Sequence, residues 1–169
     1  AAANKAAMFH PKAVYCSPYP RAVESANYVQ ILTGLSPIRV EDLREMNSGD
    51  MEGMKASRMK ELYPEYMAQR RNDASTTEPP GGETLGEVHE RAWRALLKIA
   101  EEHTSEPIIV AHLFPIQGII CRTLGLHSNQ YNRIRVDLGS LSTAQLRGEK
   151  GIVLGINDTN HLNSQHSSS

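Results

Sequence analysis

Read along the chain, the apolar positions change period several times, and each change marks an element. The Ala- and Lys-rich stretch Ala1 to Phe9 reads as the tail of a helix closed by Pro11, and the apolar run Ala13 to Cys16 predicts a short strand. Pro20 suits the first turn of a helix running to about Leu32. Ala22, Val23, Ala26, Val29 and Leu32 share one of its faces, and Gly34 is its stop. Pro37 to Val40 predicts a second strand. Asp42 to Gly53 is a polar, glycine-bearing loop, and Lys55 to Asn72 is helical in two pieces because Pro64 interrupts the pattern.

After a turn-rich stretch, Ser75 to Gly82, Thr84 and Glu87 form a T-x-x-E capping box ahead of a long helix buried along Leu85, Val88, Ala92, Leu96 and Ile99. Pro107 to Ala111 is a continuous apolar run, the pattern of a strand covered on both faces, and His112 follows at its carboxyl end. Pro115 opens a further helix with Ile116, Ile119, Ile120 and Leu124 inward and Gly125 as its stop. Ser142 to Leu146 and Ile152 to Ile156 predict a hairpin. Alternation of strands and helices predicts an α/β fold, a three-layer α/β/α sandwich with a mainly parallel sheet. Residues 1–162 form one domain without internal repeats, and 163–169 are expected to be a disordered polar tail.

Composition narrows the function. With 169 residues and 40% hydrophobic positions, a single domain buries roughly 70% of the surface of its unfolded chain and needs no disulfide or structural metal. Cys16 and Cys121 are too few for a disulfide framework and lack zinc spacing, which fits buried thiols in a reducing, cytoplasmic setting. A formal charge of −1 with scattered basic residues argues against nucleic acid as a partner. No apolar run approaches the roughly 18 residues of a membrane span.

In α/β sandwiches ligands bind beyond the carboxyl ends of the strands. Arg21, after the Ala13 to Cys16 strand, and His112, after Pro107 to Ala111, both fall there, and the loop Leu43 to Gly53 opens on the same edge. Arg21 sits in a first helical turn, where free N–H groups and the positive dipole end favour an anion and a guanidinium can fork onto two phosphate oxygens. Its other reading is a solvent-facing arginine, and that of His112 is a hydrogen-bonded structural histidine. Glu45 is either a loop carboxylate paired with Arg44 or, beside a phosphate, an acid that protonates a leaving oxygen. A cysteine-phosphatase loop is disfavoured. That family places five residues between Cys and Arg; here four separate Cys16 from Arg21, and Pro18 and Pro20 lack the N–H groups that wrap a phosphate.

Several segments together resemble the histidine phosphatases, with their phosphoglycerate-mutase-like fold. Val14 to Ala26 is similar to their strand, Ser-Pro and Arg-Ala-x-x-[Ser/Thr]-Ala pattern, and Leu43 to Gly53 to their Leu-x-Glu-x-x-x-Gly-x-x-Glu-Gly loop. Pro80-Gly81-Gly82-Glu83-Thr84 matches their Pro-Gly-Gly-Glu-[Ser/Thr] helix entry. Ile108 to His112 resembles the strand carrying their second active-site histidine, and Asn157 to Leu162 their C-terminal close. The resemblance implies Arg21 as a phosphate ligand with Ser17 beside it, His112 as the imidazole that binds the transferring phosphoryl group, and Glu45 as proton donor. It implies no metal and no cofactor, and a small phosphorylated substrate as partner. A homo-oligomer stays open.

The family's nucleophile is a histidine in an Arg-His-Gly motif, which does not occur here. His10 precedes the Ala13 to Cys16 strand at the wrong edge, and His89 and His103 are assigned to the long helix. In the family the strand bearing that motif lies inside the sheet, so a chain without it would show two unpaired ladders facing a gap. The sequence also starts without Met at Ala1. The expectation is that the nucleophile-bearing segment lies upstream of Ala1 or comes from another chain, and that these residues alone are inactive. Leu113 stands where the family has glycine, and Gln117 is uncharged. The implied activity is phosphomonoester hydrolysis through a phosphohistidine. Phosphoglycerate-mutase-type transfer and a non-catalytic phosphate-binding or interaction domain are the alternatives.

Overall fold

The computed structural model describes residues 1–102 and 106–163. Its central strand is β1 (Ala13–Cys16), flanked in parallel by β2 (Ile38–Arg39) and β3 (Pro107–Val110) in the order β2-β1-β3. All four residues of β1 are buried, and their alternation splits the core in two. Val14 and Cys16 face α1 (Ala2–Ala7) and α2 (Pro20–Thr33), packing with Ala6, Ala26 and Val29. Ala13 and Tyr15 face the opposite layer, packing with Leu43 and with Ala95 and Ile99 of α5 (Leu85–Glu102). This is the expected three-layer α/β/α sandwich.

Local signals set the element ends. Gly34 closes α2 at φ 76°, a left-handed conformation that a side chain disfavours. Pro64 separates α3 (Ala56–Leu62) from α4 (Pro64–Asn72). The capping box before α5 forms as its spacing predicts: Glu87 accepts from the Thr84 N–H at 2.8 Å, and the Glu87 N–H donates to Thr84 Oγ1 at 3.1 Å. The polar loop 42–53 is entered through one 3-10 turn, Glu41–Leu43, and contains a second, Gly49–Met51.

Three local expectations need correction. β3 is half-buried rather than covered on both faces, and among the described residues it pairs only with β1. The expected hairpin does form, from β4 (Leu141–Arg147) and β5 (Lys150–Asp158), as an antiparallel sheet of its own from which Leu141 packs on the core around Val14 and Val110. α6 (Leu113–Thr123) starts two residues before Pro115. Leu32 and Leu124, expected inward, are exposed: Leu32 stands in the last turn of α2, and α6 ends at Thr123, so that Leu124 is its capping residue. Asn163 closes α7 (Asn160–Asn163), while His103 and the tail 164–169 lie outside the described residues.

Candidate functional site

The parallel pairing of β1 with β3 brings their carboxyl ends side by side, and the Ser17 N–H continues the ladder by donating to the Val110 carbonyl at 2.9 Å. That register puts Ser17 next to His112, the residue that enters α6. Ser17 Oγ lies 2.8 Å from His112 Nε2, and Arg21, in the first turn of α2, donates from Nε to His112 Nδ1 at 3.2 Å. Because a guanidinium stays charged, Nδ1 must present its lone pair, so the imidazole proton sits on Nε2 and points at Ser17 Oγ. Burial, followed by the charges of Arg21 and Arg91, pushes the His112 pKa down to about 4, which keeps this ring neutral at pH 7. Arg21 itself is exposed, and among the described residues it forms no ion pair. Tyr19 stands beside both, its ring centroid 5.4 Å from the imidazole and 5.2 Å from the guanidinium carbon.

Glu45 reaches the same place from the loop after β2. Leu43 and Met46 are buried on either side of it and fix the loop to the core. The Glu45 carboxylate accepts from the Met46 N–H at 3.0 Å and from the Phe114 N–H at 3.3 Å, so it lies against the first turn of α6, next to His112 in sequence. Burial raises its pKa. The Met46 and Phe114 N–H groups, the Arg21 charge and the Leu113 N–H oppose that rise without cancelling it. Arg21, His112, Ser17 and Glu45, from four separate positions in the chain, therefore gather at one sheet edge. The arrangement offers charged and neutral hydrogen-bond donors for an anion, and a carboxyl group whose affinity for a proton is enhanced.

Several surrounding roles were not apparent from the sequence. Arg91 of α5 is 4% exposed and sits beneath the Glu45 loop, bonded to Glu83. The available signal was a charged residue directly beside the apolar stripe of α5. Gln117 donates to the Ile134 and Tyr131 carbonyls at 2.7 and 3.2 Å, which makes it a staple between α6 and the chain beyond it. Among the described residues no group of three or more His, Cys, Asp or Glu side chains is placed to hold a metal ion, and no helix is long and apolar enough to cross a membrane. A cleft of about 430 Å³ beside α2, lined by Pro18, Pro20 and Arg39, takes in neither Arg21 nor His112.

Fold and site thus define an α/β/α protein that assembles arginine, histidine, serine and glutamate beyond its parallel strand ends. The chain belongs to the histidine phosphatase superfamily (branch 1), whose sequence profile it matches over residues 1–159. It is 25% identical to phosphoserine phosphatase 1 of Hydrogenobacter thermophilus, over 90% of this chain and 73% of that protein. It is 31% identical to the metal-independent phosphoserine phosphatase of Arabidopsis thaliana, over 91% of this chain and 64% of that one. It spans less than half of some other relatives, such as 43% of phosphoglycerate mutase-like protein 4 of Arabidopsis thaliana, to which it is 35% identical over 99 residues. Bacillus stearothermophilus YhfR shares the fold with a TM-score of 0.86 at 22% identity, over 95% of this chain and 81% of that one. Mycobacterial glucosyl-3-phosphoglycerate phosphatase does so with a TM-score of 0.80 at 20% identity, over 92% and 82%.

Proposed function

We propose that this chain belongs to a metal-independent phosphomonoesterase that works through a phosphohistidine, acting on a small phosphorylated substrate in the cytoplasm. The convergence of Arg21, His112 and Ser17 with Glu45 carries this reading. Arg21 and His112 hold the phosphoryl oxygens and stabilise charge that builds in transfer: the bound anion draws Arg21 away from Nδ1 and favours a proton there, so that the imidazole becomes a donor to it. A histidine on a segment upstream of Ala1 attacks phosphorus, forming an N–P bond as the P–O bond to the leaving group breaks. Glu45 gives its proton to the departing alkoxide. Water then attacks the phosphohistidine and returns a proton to Glu45, releasing inorganic phosphate. The single-sided pairing of β3 and the separate β4–β5 sheet support a further strand between them. The name of the Arabidopsis relative supports metal independence, and two buried free thiols fit a reducing compartment.

With the upstream segment restored, p-nitrophenyl phosphate should be hydrolysed in EDTA, and an acid-labile phosphoprotein should be trapped on rapid quenching. Arg21→Ala and His112→Ala should each lower the rate by orders of magnitude, and residues 1–169 alone should bind phosphate without turnover. Unchanged rates in both variants would overturn the assignment. Transfer of the phosphoryl group to a second hydroxyl in preference to water would instead make the protein a mutase, and phosphate binding without turnover in the restored protein would make it a non-catalytic binder.

A further inference from the structure

We propose that Arg91, locked by Glu83, is a positioning residue that holds the proton donor Glu45 in place; this rests on the reading of Glu45 given above. A guanidinium carries five N–H donors in a rigid plane, and at Arg91 every one has an acceptor. Nη1 donates to the Asp42 and Arg44 carbonyls, both at 2.7 Å. Nη2 donates to the Glu45 carbonyl at 3.1 Å and to Glu83 Oε1 at 2.8 Å, and Nε donates to Glu83 Oε2 at 3.0 Å. No donor remains for a substrate, so Arg91 acts through the loop and, at a distance, through its charge on His112, a charge that a lysine in its place retains.

Three of the five bonds end on the backbone that carries Glu45. Glu83 completes the grip from the other side: its Oε1 accepts the Asn47 N–H at 2.8 Å, and its own N–H donates to the Asn47 carbonyl at 3.0 Å. Residues 42, 44, 45 and 47 are thereby bound to the Glu83–Arg91 unit, and Arg91 projects from an 18-residue helix anchored in the core. The pair neutralises its own buried charge, which an isolated arginine could not do at this depth. An ammonium in its place has three donors and no planar fork, so it cannot reproduce the arrangement.

A residue that acts only by placing a general acid matters in proportion to the leaving group's need for a proton. In the enzyme with its upstream strand, Arg91→Lys should lower kcat/KM for an alkyl phosphate by about a hundredfold, within the range of general acid catalysis. The same variant should lower kcat/KM for 2,4-dinitrophenyl phosphate less than about threefold, because that leaving group departs unprotonated. Arg91→Lys combined with Glu45→Gln should lose no more than Glu45→Gln alone. Should Arg91→Lys fail to fold, Glu83→Gln, which keeps the arginine, should show the same leaving-group dependence at smaller amplitude. An equal loss on both substrates, an unchanged alkyl phosphate rate, or additive losses in the double variant would overturn the proposal. If Glu45→Gln itself shows no leaving-group dependence, the proton-donor reading fails first.

Discussion

Acid should weaken this fold well above the range in which carboxylates titrate, because two histidines are buried in neutral form. His89 is 1% exposed, with Nδ1 2.9 Å from Ser128 Oγ and, among the described residues, no partner for Nε2. Burial, then the charge of Arg122, lowers its pKa from 6.5 to about 4; His112 falls equally far, through burial and then Arg21 and Arg91. Below about pH 6.5 the unfolded chain takes up a proton at each position that the folded chain refuses. Stability therefore declines as pH falls, by about 1.4 kcal/mol per unit for each histidine, until both folded groups protonate near their lowered pKa. Between about pH 6.5 and 4.5 the pair removes about 5 kcal/mol, similar to the whole stability of a weakly stable domain at about 5–15 kcal/mol. Glu45 works in the opposite sense: with its folded pKa raised, its contribution is present in acid and lost as pH climbs through that pKa. Glu83 and Asp137, whose pKa values are lowered, add further loss only below the ordinary carboxylate range. Urea denaturation followed by circular dichroism at a series of pH values measures the slope. His89→Asn lowers stability at every pH by leaving space, yet it should roughly halve the slope, as should His112→Asn. A stability that is flat from about pH 7 to 4.5, or a slope that neither substitution changes, would refute the burial argument.

Two other substitutions probe the loop and the long helix. Gly49 has φ 55°, and a Cβ there would stand 2.0 Å from the Pro80 carbonyl oxygen. Gly49→Ala should therefore cost at least about 1–3 kcal/mol in thermal or urea unfolding; because it parts the Glu45 loop from residues 80–82, it should also reduce turnover of alkyl phosphates more than its stability loss explains. Thr84→Ala removes the cap of α5 and should cost about 1 kcal/mol, seen as a fall in Tm of about 2–4 °C.

The features legible in the sequence are those decided within a few residues. Thr84 and Glu87 cap α5 because the bond they make spans three positions, and Pro64 and Gly34 act through their own backbone conformation. The sheet edge that gathers Arg21 and His112 was legible too, since alternating strands and helices leave few ways to order a parallel sheet. Features that depend on a distant partner were hidden. The run Pro107 to Val110 is apolar enough for two covered faces, but the chain supplies neighbours enough only to half-bury it. Periodicity placed Leu32 and Leu124 on the inward face, but both stand at helix ends, where the period alone does not say that another element lies beneath. Arg91 looked like any charged residue on a helix, because its acceptors are carbonyl groups of residues 42–45, and backbone groups leave no mark in a sequence.

The most direct test of the central claim, one anion site shared by Arg21, His112, Ser17 and Glu45, is the position of bound orthovanadate in a crystal. Vanadate oxygens should lie within about 3 Å of the Arg21 and His112 nitrogens, with the Glu45 carboxyl facing the oxygen that stands for the leaving group. Vanadate bound elsewhere, with an affinity that Arg21→Ala and His112→Ala leave unchanged, would contradict it.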